Sequence, residues 1–295
     1  MNKLTSRQGL LAWVLLILVS IIWGSSFILI KKGLQVFSPA EVGTLRIFIA
    51  CLVLIPFSFK AFSKVEKNKW PILLFVGGIG SFVPALLFSF AQTRLDSALA
   101  GVMNSFTPLF VILFGVLFFK SKLSLSSFLG IVIGFLGCVF IIFGGANFNL
   151  SGVNYYALLI LLATIMYATN VNIIKTFLPN IKALHVTSIS FALISPFCAI
   201  FLFLGTDFFQ SISMEKNFLF GLGYVLILGA VNTALAMFIF NNLIKIASPV
   251  FASSCTYLIP IVSVFWGLID GESLNIYEYL GIVIILGGVY LANRK

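Results

Sequence analysis

Apolar positions along this chain neither alternate nor follow a single helical stripe. They come in long runs separated by short polar breaks. Ten runs follow one another: Leu10–Ile30, Ala40–Phe59, Trp70–Ala91, Ala98–Phe119, Leu125–Phe143, Tyr155–Ile174, Leu184–Leu204, Phe218–Phe240, Ser248–Ile269 and Ile276–Ala292. A nearly uncharged helix of about twenty residues covers a bilayer core of about 30 Å. Lipid offers backbone groups no hydrogen bonds, so each run must satisfy its own as a helix. The pattern predicts an all-α membrane protein with ten transmembrane helices, five on either side of the longest polar break, Gly144–Asn154.

The fourth run is not uniformly apolar. Gly101, Asn104, Ser105, Pro108 and Gly115 recur at steps of three, four and seven, which places them on one helix face. The ninth run carries Ser253, Thr256, Tyr257, Pro260 and Gly267 at the same spacing, 152 positions later. Two more stretches match in the same order. IIWGSSFILIKKGL from Ile21 aligns with IMYATNVNIIKTFL from Ile165, pairing Trp23 with Tyr167, Ser26 with Asn170 and Lys31 with Lys175. LGIVIGFLG from Leu129 aligns with LGIVIILGG from Leu280. Three ordered matches indicate a duplicated unit, 1–146 and 147–295. Five spans is an odd number, so the second unit must cross the bilayer in the opposite sense. Two inverted five-helix repeats can present one central site to each side of a membrane in turn.

Composition agrees. Hydrophobic residues make up 61% of the chain and charged residues 9%, too few to cover a soluble surface. The net charge of +10 could suggest a nucleic-acid partner. Position explains it without one. Thirteen basic residues lie on one side of the predicted spans: Lys3, Arg7, Lys60, Lys64, Lys67, Lys69, Lys120, Lys122, Lys175, Lys182, Lys245, Arg294 and Lys295. Four lie on the other: Lys31, Lys32, Arg94 and Lys216. Acidic residues lean the opposite way, with Glu41, Asp96, Asp207, Glu215, Asp270, Glu272 and Glu278 against Glu66. This bias puts both termini in the cytoplasm of a multi-pass protein of the cytoplasmic (inner) membrane. The first run follows Lys3 and Arg7, is long for a signal peptide and reads as a retained span. Cys51, Cys138, Cys198 and Cys255 are dispersed in apolar runs without CxxC or Cys/His spacing, so no metal, cofactor or disulfide is expected.

Polar and aromatic residues inside spans are the candidate chemistry. Arg46 is the one clear intramembrane charge, a functional candidate by default. It lies six residues past Ala40, about 9 Å along a helix, so snorkelling to the interface or a structural contact is the alternative. Trp23 and Tyr167 are repeat partners placed mid-span, where aromatics favour burial or a cavity wall. Asn104, Thr107, Asn170, Asn232, Thr256 and Tyr257 complete the expected substrate cavity, and Pro108 and Pro260 the expected helix hinges. Small and polar stripes also serve helix packing, and asparagines such as Asn172, Asn241 and Asn242 can bond helix to helix. Gly130, Gly134, Gly281, Gly287 and Gly288 predict close packing of the fifth and tenth spans within one molecule, with a dimer face as the alternative. Glu41, Asp270 and Glu272 read as solvated loop charges at the outer mouth, and His185 as an interfacial structural histidine. No carboxylate stands securely mid-span to couple protons.

These residues also carry a family resemblance. Trp23-Gly24-Ser25-Ser26-Phe27 resembles the WG-[ST]-x-[FW] signature of the drug/metabolite transporter superfamily. Arg46, Pro108, Pro260 and Gly271-Glu272 also fit that group, and the chain looks like an EamA-type permease over nearly its whole length. The halves differ: Phe119-Lys120 stands where the second half has Gly271-Glu272, and Ser190 aligns with Arg46. The resemblance implies export or uptake of small metabolites, often amino acids, through a central cavity; the expected partners are a small-molecule substrate and the lipid bilayer, with monomer and homodimer both open. A lipid-linked or nucleotide-sugar carrier is the related alternative. An integral membrane enzyme would need a cluster such as a His/Asp pair or Ser/Lys dyad, which the sequence does not offer, and a channel is the third class.

Overall fold

The computed structural model describes residues 6–119, 124–144, 155–214, 217–247, 251–252 and 255–293. Lys3, Lys120, Lys122, Glu215, Lys216, Ser253, Arg294 and Lys295 lie outside the described residues, as do the side chains of Arg7, Asn241 and Lys245.

Among the described residues the fold is helical throughout, without strands. Ten rods fall on the ten apolar runs: α1 Gln8–Gly33, α2 Pro39–Phe62, α3 Lys67–Ala91, α4 Ser97–Phe118, α5 Leu125–Gly144, α6 Tyr156–Phe177, α7 Ala183–Leu204, α8 Phe218–Phe240, α9 Cys255–Ile269 and α10 Ile276–Asn293. Seven of them, α1–α4 and α6–α8, are long and apolar enough to cross a membrane; the apolar parts of α5, α9 and α10 are shorter. A short helix, Phe208–Met214, lies between α7 and α8.

The rods are capped where they leave the apolar layer. Ser38 and Glu41 form a reciprocal capping box at the start of α2, with Pro39 in its first turn. Glu41 also accepts a hydrogen bond from Ser211 Oγ at 3.1 Å. Asn275 and Glu278 exchange the same kind of bonds at the start of α10, at 2.7 and 2.9 Å. Glu41 is therefore a buried cap rather than the solvated loop charge its position suggested, because unpaired N–H groups at a helix start attract a carboxylate.

Two pairs of corresponding rods, α5 with α10 and α2 with α7, pack against each other and run in opposite directions. Along α5 and α10, Gly130 abuts Gly288 and Ala292, whereas Gly137 abuts Gly281 and Ile285. Along α2 and α7, Phe48 meets Phe203 at 5.9 Å, and further along Cys51 Sγ donates to the Phe191 carbonyl at 3.1 Å. The other major contacts pair off similarly: α1 with α9 as α6 with α4, and α2 with α8 as α7 with α3. The glycines at the α5–α10 seam allow backbone-to-backbone approach within one chain. Gly287, expected to share in it, faces open space, since its neighbour Gly288 takes the seam side of α10.

Four rods are locally irregular. α1 breaks at Ser25 and α4 at Asn104–Ser105. α3 and α8, a matched pair, each contain a π-helical segment, Gly78–Phe82 and Ile227–Leu235. Such segments leave the regular hydrogen-bond ladder and gather at functional sites. Side chains facing outward are strongly apolar, for instance Leu204 at 82% and Leu219 at 79% exposure. An apolar surface of that extent suits lipid rather than water.

Candidate functional site

The irregular segments converge on one cavity of about 410 Å³ in the middle of the bundle. Eight of the nine expected cavity residues line it: Trp23, Arg46, Asn104, Thr107, Tyr167, Asn170, Asn232 and Thr256. Tyr257 does not. Its hydroxyl donates to the Val289 carbonyl of α10 at 3.3 Å, because one residue beyond Thr256 lies about 100° around the helix.

The break in α4 has a local cause. Pro108 has no N–H to return to the Asn104 carbonyl four residues back, and that carbonyl accepts from Thr107 N at 3.1 Å instead. The turn exposes Asn104, Ser105 and Thr107 to the cavity. Pro260 acts differently: α9 runs unbroken from Cys255 to Ile269 with the proline inside it. Gly101 and Gly267 of the two stripes serve packing. Gly101 abuts Ser263, and Gly267 abuts Ala98 and Glu272.

The break in α1 is held from outside the repeat. Trp266 Nε1 donates to Ser25 Oγ at 2.9 Å, and Ser25 Oγ donates to the Ile21 carbonyl at 2.6 Å. Asn232, in the π segment of α8, donates its amide to the Ile22 carbonyl and to Ser26 Oγ, the latter at 3.1 Å. Across the cavity the aligned residue Asn170 presses its amide on Gly80 in the π segment of α3, where a side chain would leave no room. Ser26 and Asn170 thus each touch the irregular segment of the rod opposite. Asn172, beside the cavity, bonds the Val111 carbonyl at 3.2 Å and serves helix packing.

Arg46 does not snorkel. Its side chain lines the cavity, and Nε donates to Thr233 Oγ1 at 3.1 Å. Among the described residues no carboxylate pairs with it. Aromatic rings form much of the wall. Phe88 lies 5.8 Å from Phe27 and stacks with Tyr167 at 6.1 Å, while Trp23 leans on Phe240 at 5.0 Å.

One end of the bundle is tied together by charge. The Glu272 side chain, 1% exposed, accepts from Lys31 Nζ at 2.7 Å, Ser97 Oγ at 2.7 Å, and the Ser97 and Ala98 amides at 2.9 Å each. Lys31 also pairs with Asp270 at 2.8 Å, and Lys32 joins the same carboxylate. The network ties α1, the start of α4 and the α9–α10 turn. That turn depends on Gly271, whose φ of +83° is a left-handed conformation that favours glycine. Burial alone would raise the Glu272 pKa, but Lys31 and the Ser97 and Ala98 donors outweigh it and hold the carboxyl below its usual range. Hydrogen bonds from Lys31 and Lys32 lower Asp270 likewise, whereas burial and then the Glu272 charge raise Asp96. Glu272 is thus no solvated loop charge, since four donors converge on it. The unequal alignment of Gly271-Glu272 with Phe119-Lys120 was the available signal for it; nothing in the repeat pointed to Trp266 or Thr233. At the other end, Leu73, Val76, Leu178, Val186 and Ile189 form an apolar cluster, of which Val76 and Val186 border the cavity.

The EamA-like transporter family matches residues 10–143 and again 154–294, so both halves of the chain are covered. The chain belongs to the EamA-like transporter family. Among relatives of this EamA-like chain, an uncharacterized transporter of Archaeoglobus fulgidus is 25% identical over 96% of the chain and 99% of its own length. The uncharacterized inner membrane transporter YedA of Escherichia coli K12 is 28% identical over 97% and 91%. A solved crystal structure shares the fold with a TM-score of 0.60 at 16% identity, covering 95% of this chain and 96% of that one. The EamA-like chain is thus a multi-pass membrane transporter. No cluster of three or more His, Cys, Asp or Glu suited to a metal occurs among the described residues.

Proposed function

We propose that the chain is a ten-span secondary transporter built of two inverted five-helix units, 1–146 and 147–295. It moves small organic metabolites, amino acids or related compounds, across the cytoplasmic membrane by alternating access, with both termini cytoplasmic. The observation that carries this reading is the cavity itself. It lies between the halves and is lined by three repeat-paired sets, Trp23 with Tyr167, Ser26 with Asn170, and Asn104 with Thr256. The antiparallel course of α5 against α10 and of α2 against α7 supports the inversion.

In this reading the Glu272 network faces outward, following the positive-inside bias. The arrangement described is closed on that side. Opening it requires Lys31 to leave Glu272 and α4 to separate from the α9–α10 turn. The breaks at Ser25 and Asn104 allow the outer halves of α1 and α4 to move without unwinding whole rods. The test is flux into liposomes reconstituted with the purified full chain, after a ligand screen by thermal stability. Saturable uptake with counterflow supports a carrier, and linear, non-saturating flux rejects it.

A further inference from the structure

Lysines gather at one corner of the bundle. Lys60, Lys64, Lys67 and Lys69 fall at the α2–α3 connection, and Lys175 and Lys182 at the α6–α7 connection. The fold brings these two stretches together at the end away from Glu272. Beneath them a single apolar cluster joins four rod ends, with Ala61 from α2, Leu73 from α3, Leu178 after α6 and Val186 from α7. Lys69 Nζ donates to the Phe177 carbonyl at 3.4 Å, tying the start of α3 to the end of α6. Lys64 and Lys182, one from each connection, both stand within electrostatic reach of His185 in the first turn of α7.

No carboxylate answers this charge. Glu66 is the one acidic residue of the two connections. It is exposed, and among the described residues neither it nor any of the six lysines forms an ion pair. The opposite end is built differently, since Asp270 and Glu272 meet Lys31 and Lys32 there. Lys175 aligns with Lys31 yet stands exposed. Like charges held near one another repel, so the corner gains from an anion placed among them. The lipid-facing surface next to it is apolar. Phe57 and Phe59 on α2, and Leu74 and Phe75 on α3, are exposed within about two turns of a lysine, Phe59 at 72%. A cationic rim above an apolar wall complements a molecule that is anionic at its head and apolar below; a free anion has no use for the wall.

We propose that this corner binds an anionic phospholipid. Its phosphate sits between Lys64 and Lys182, beside His185, with Lys67 and Lys175 extending the rim. Its acyl chains lie along the exposed apolar faces of α2 and α3. Basic pockets between membrane helices hold acidic headgroups in this way. Because α2 and α3 belong to the first half and α6 and α7 to the second, the lipid bridges the halves. It supplies at this end the negative charge that Glu272 supplies at the other. The inference needs only the membrane fold and stands apart from the transporter reading.

The experiment titrates phosphatidylglycerol, phosphatidylcholine and soluble glycerol phosphate into the purified full chain in detergent and reads apparent affinity from the thermal shift. Phosphatidylglycerol is expected to stabilise wild-type protein, less so as salt rises, and the other two to have little effect. A lysine near an anionic headgroup strengthens binding about fivefold, so Lys64→Gln/Lys182→Gln is expected to weaken phosphatidylglycerol about 25-fold. Lys64→Arg/Lys182→Arg should restore most of it. Arg294→Gln/Lys295→Gln removes the same charge elsewhere in the sequence and should leave the affinity within about twofold of wild type. Equal stabilisation by phosphatidylcholine, stabilisation by glycerol phosphate alone, or equal loss in both glutamine variants overturns the proposal. The lipid comparison uses wild-type protein, so a variant that fails to fold does not decide it. Flux without lipid preference would keep the transporter and sink this site; lipid preference without flux would do the reverse.

Discussion

Arg46 on α2 donates from Nε to Thr233 Oγ1 on α8 at 3.1 Å, joining the first half of the chain to the second at the cavity wall. Thr233 can receive it because α8 is π-helical there. Its hydroxyl reaches the carbonyl of Leu228, five residues back, at 3.0 Å. A single polar contact thus links the repeat interface, the irregular rod and the one cation of the site.

Cavity residues and their near neighbours should separate by function. Trp23→Ala removes a cavity wall and is expected to lower flux at least about tenfold while expression stays near wild type, since positioning of a bound substrate is sensitive to small displacements. Tyr257→Phe removes a bond to the Val289 carbonyl, away from the cavity, and should retain most flux. Flux normalised to reconstituted protein, measured for both variants, checks the assignment.

Glu272→Ala should be among the most damaging single changes at the charged end. It leaves Lys31, Ser97 Oγ and two amides without their acceptor. Breaking a buried pair by removing one partner costs about 3–5 kcal/mol. Part of that loss is expected as a lower melting temperature, and part as an outward opening seen by faster labelling of Ser26→Cys from the outer face. Asp270→Asn, which leaves the Lys31–Glu272 bond in place, should do less on both measures.

The same network sets a pH response. Glu272 and Asp270 titrate in the folded chain below their ordinary values of 4.5 and 3.8. A carboxyl lowered on folding adds stability above its ordinary pKa and loses it as pH falls through the lowered one. The Glu272 network is therefore expected to hold unchanged from about pH 8 to about pH 5 and to weaken only in stronger acid. Asp96, raised by burial and by the Glu272 charge, gains its proton earlier and delays the loss by removing a repulsion. Labelling rates of Ser26→Cys across this range, with buried Glu272→Gln as control, would reveal it. A transition near pH 7 that Glu272→Gln abolishes would contradict this assignment.

The α5–α10 seam makes a sharp comparison possible between adjacent glycines. An added Cβ at Gly288 would run into the backbone of Gly134 and Gly130, whereas one at Gly287 meets nothing within 4 Å. Gly288→Val should therefore destabilise strongly, beyond the usual 1–3 kcal/mol of an overpacked core because the clash is with backbone. Gly287→Ala should be neutral or slightly stabilising through helix propensity. Melting temperatures in detergent measure both.

Much of this was legible in the amino-acid order. Runs without charge predicted the rods, since lipid demands helices, and the repeat between Ile21 and Ile165 paired Trp23 with Tyr167, both of which line the cavity. Tyr257 was misplaced because a stripe of matched residues fixes a face only to within about one residue, or 100° of rotation. Glu272 was undervalued for a different reason. Its burial comes from Ser97, Ala98 and Lys31, which are remote in sequence, and no local pattern encodes that meeting. The π segments were likewise unread: Ile227–Leu235 carries Asn232 and Thr233 but no proline, and a polar pair inside an apolar run does not by itself announce a change of helical register.

Sidedness of labelling tests the inverted duplication most directly. Ser63, exposed after α2, and Gln210, exposed after α7, occupy matching connections of the two halves. In a background with Cys51, Cys138, Cys198 and Cys255 replaced, Ser63→Cys and Gln210→Cys are each challenged with an impermeant thiol reagent from one face at a time. The account predicts reaction of Ser63→Cys from the cytoplasmic face alone and of Gln210→Cys from the outer face alone. Reaction of both from the same face would contradict it.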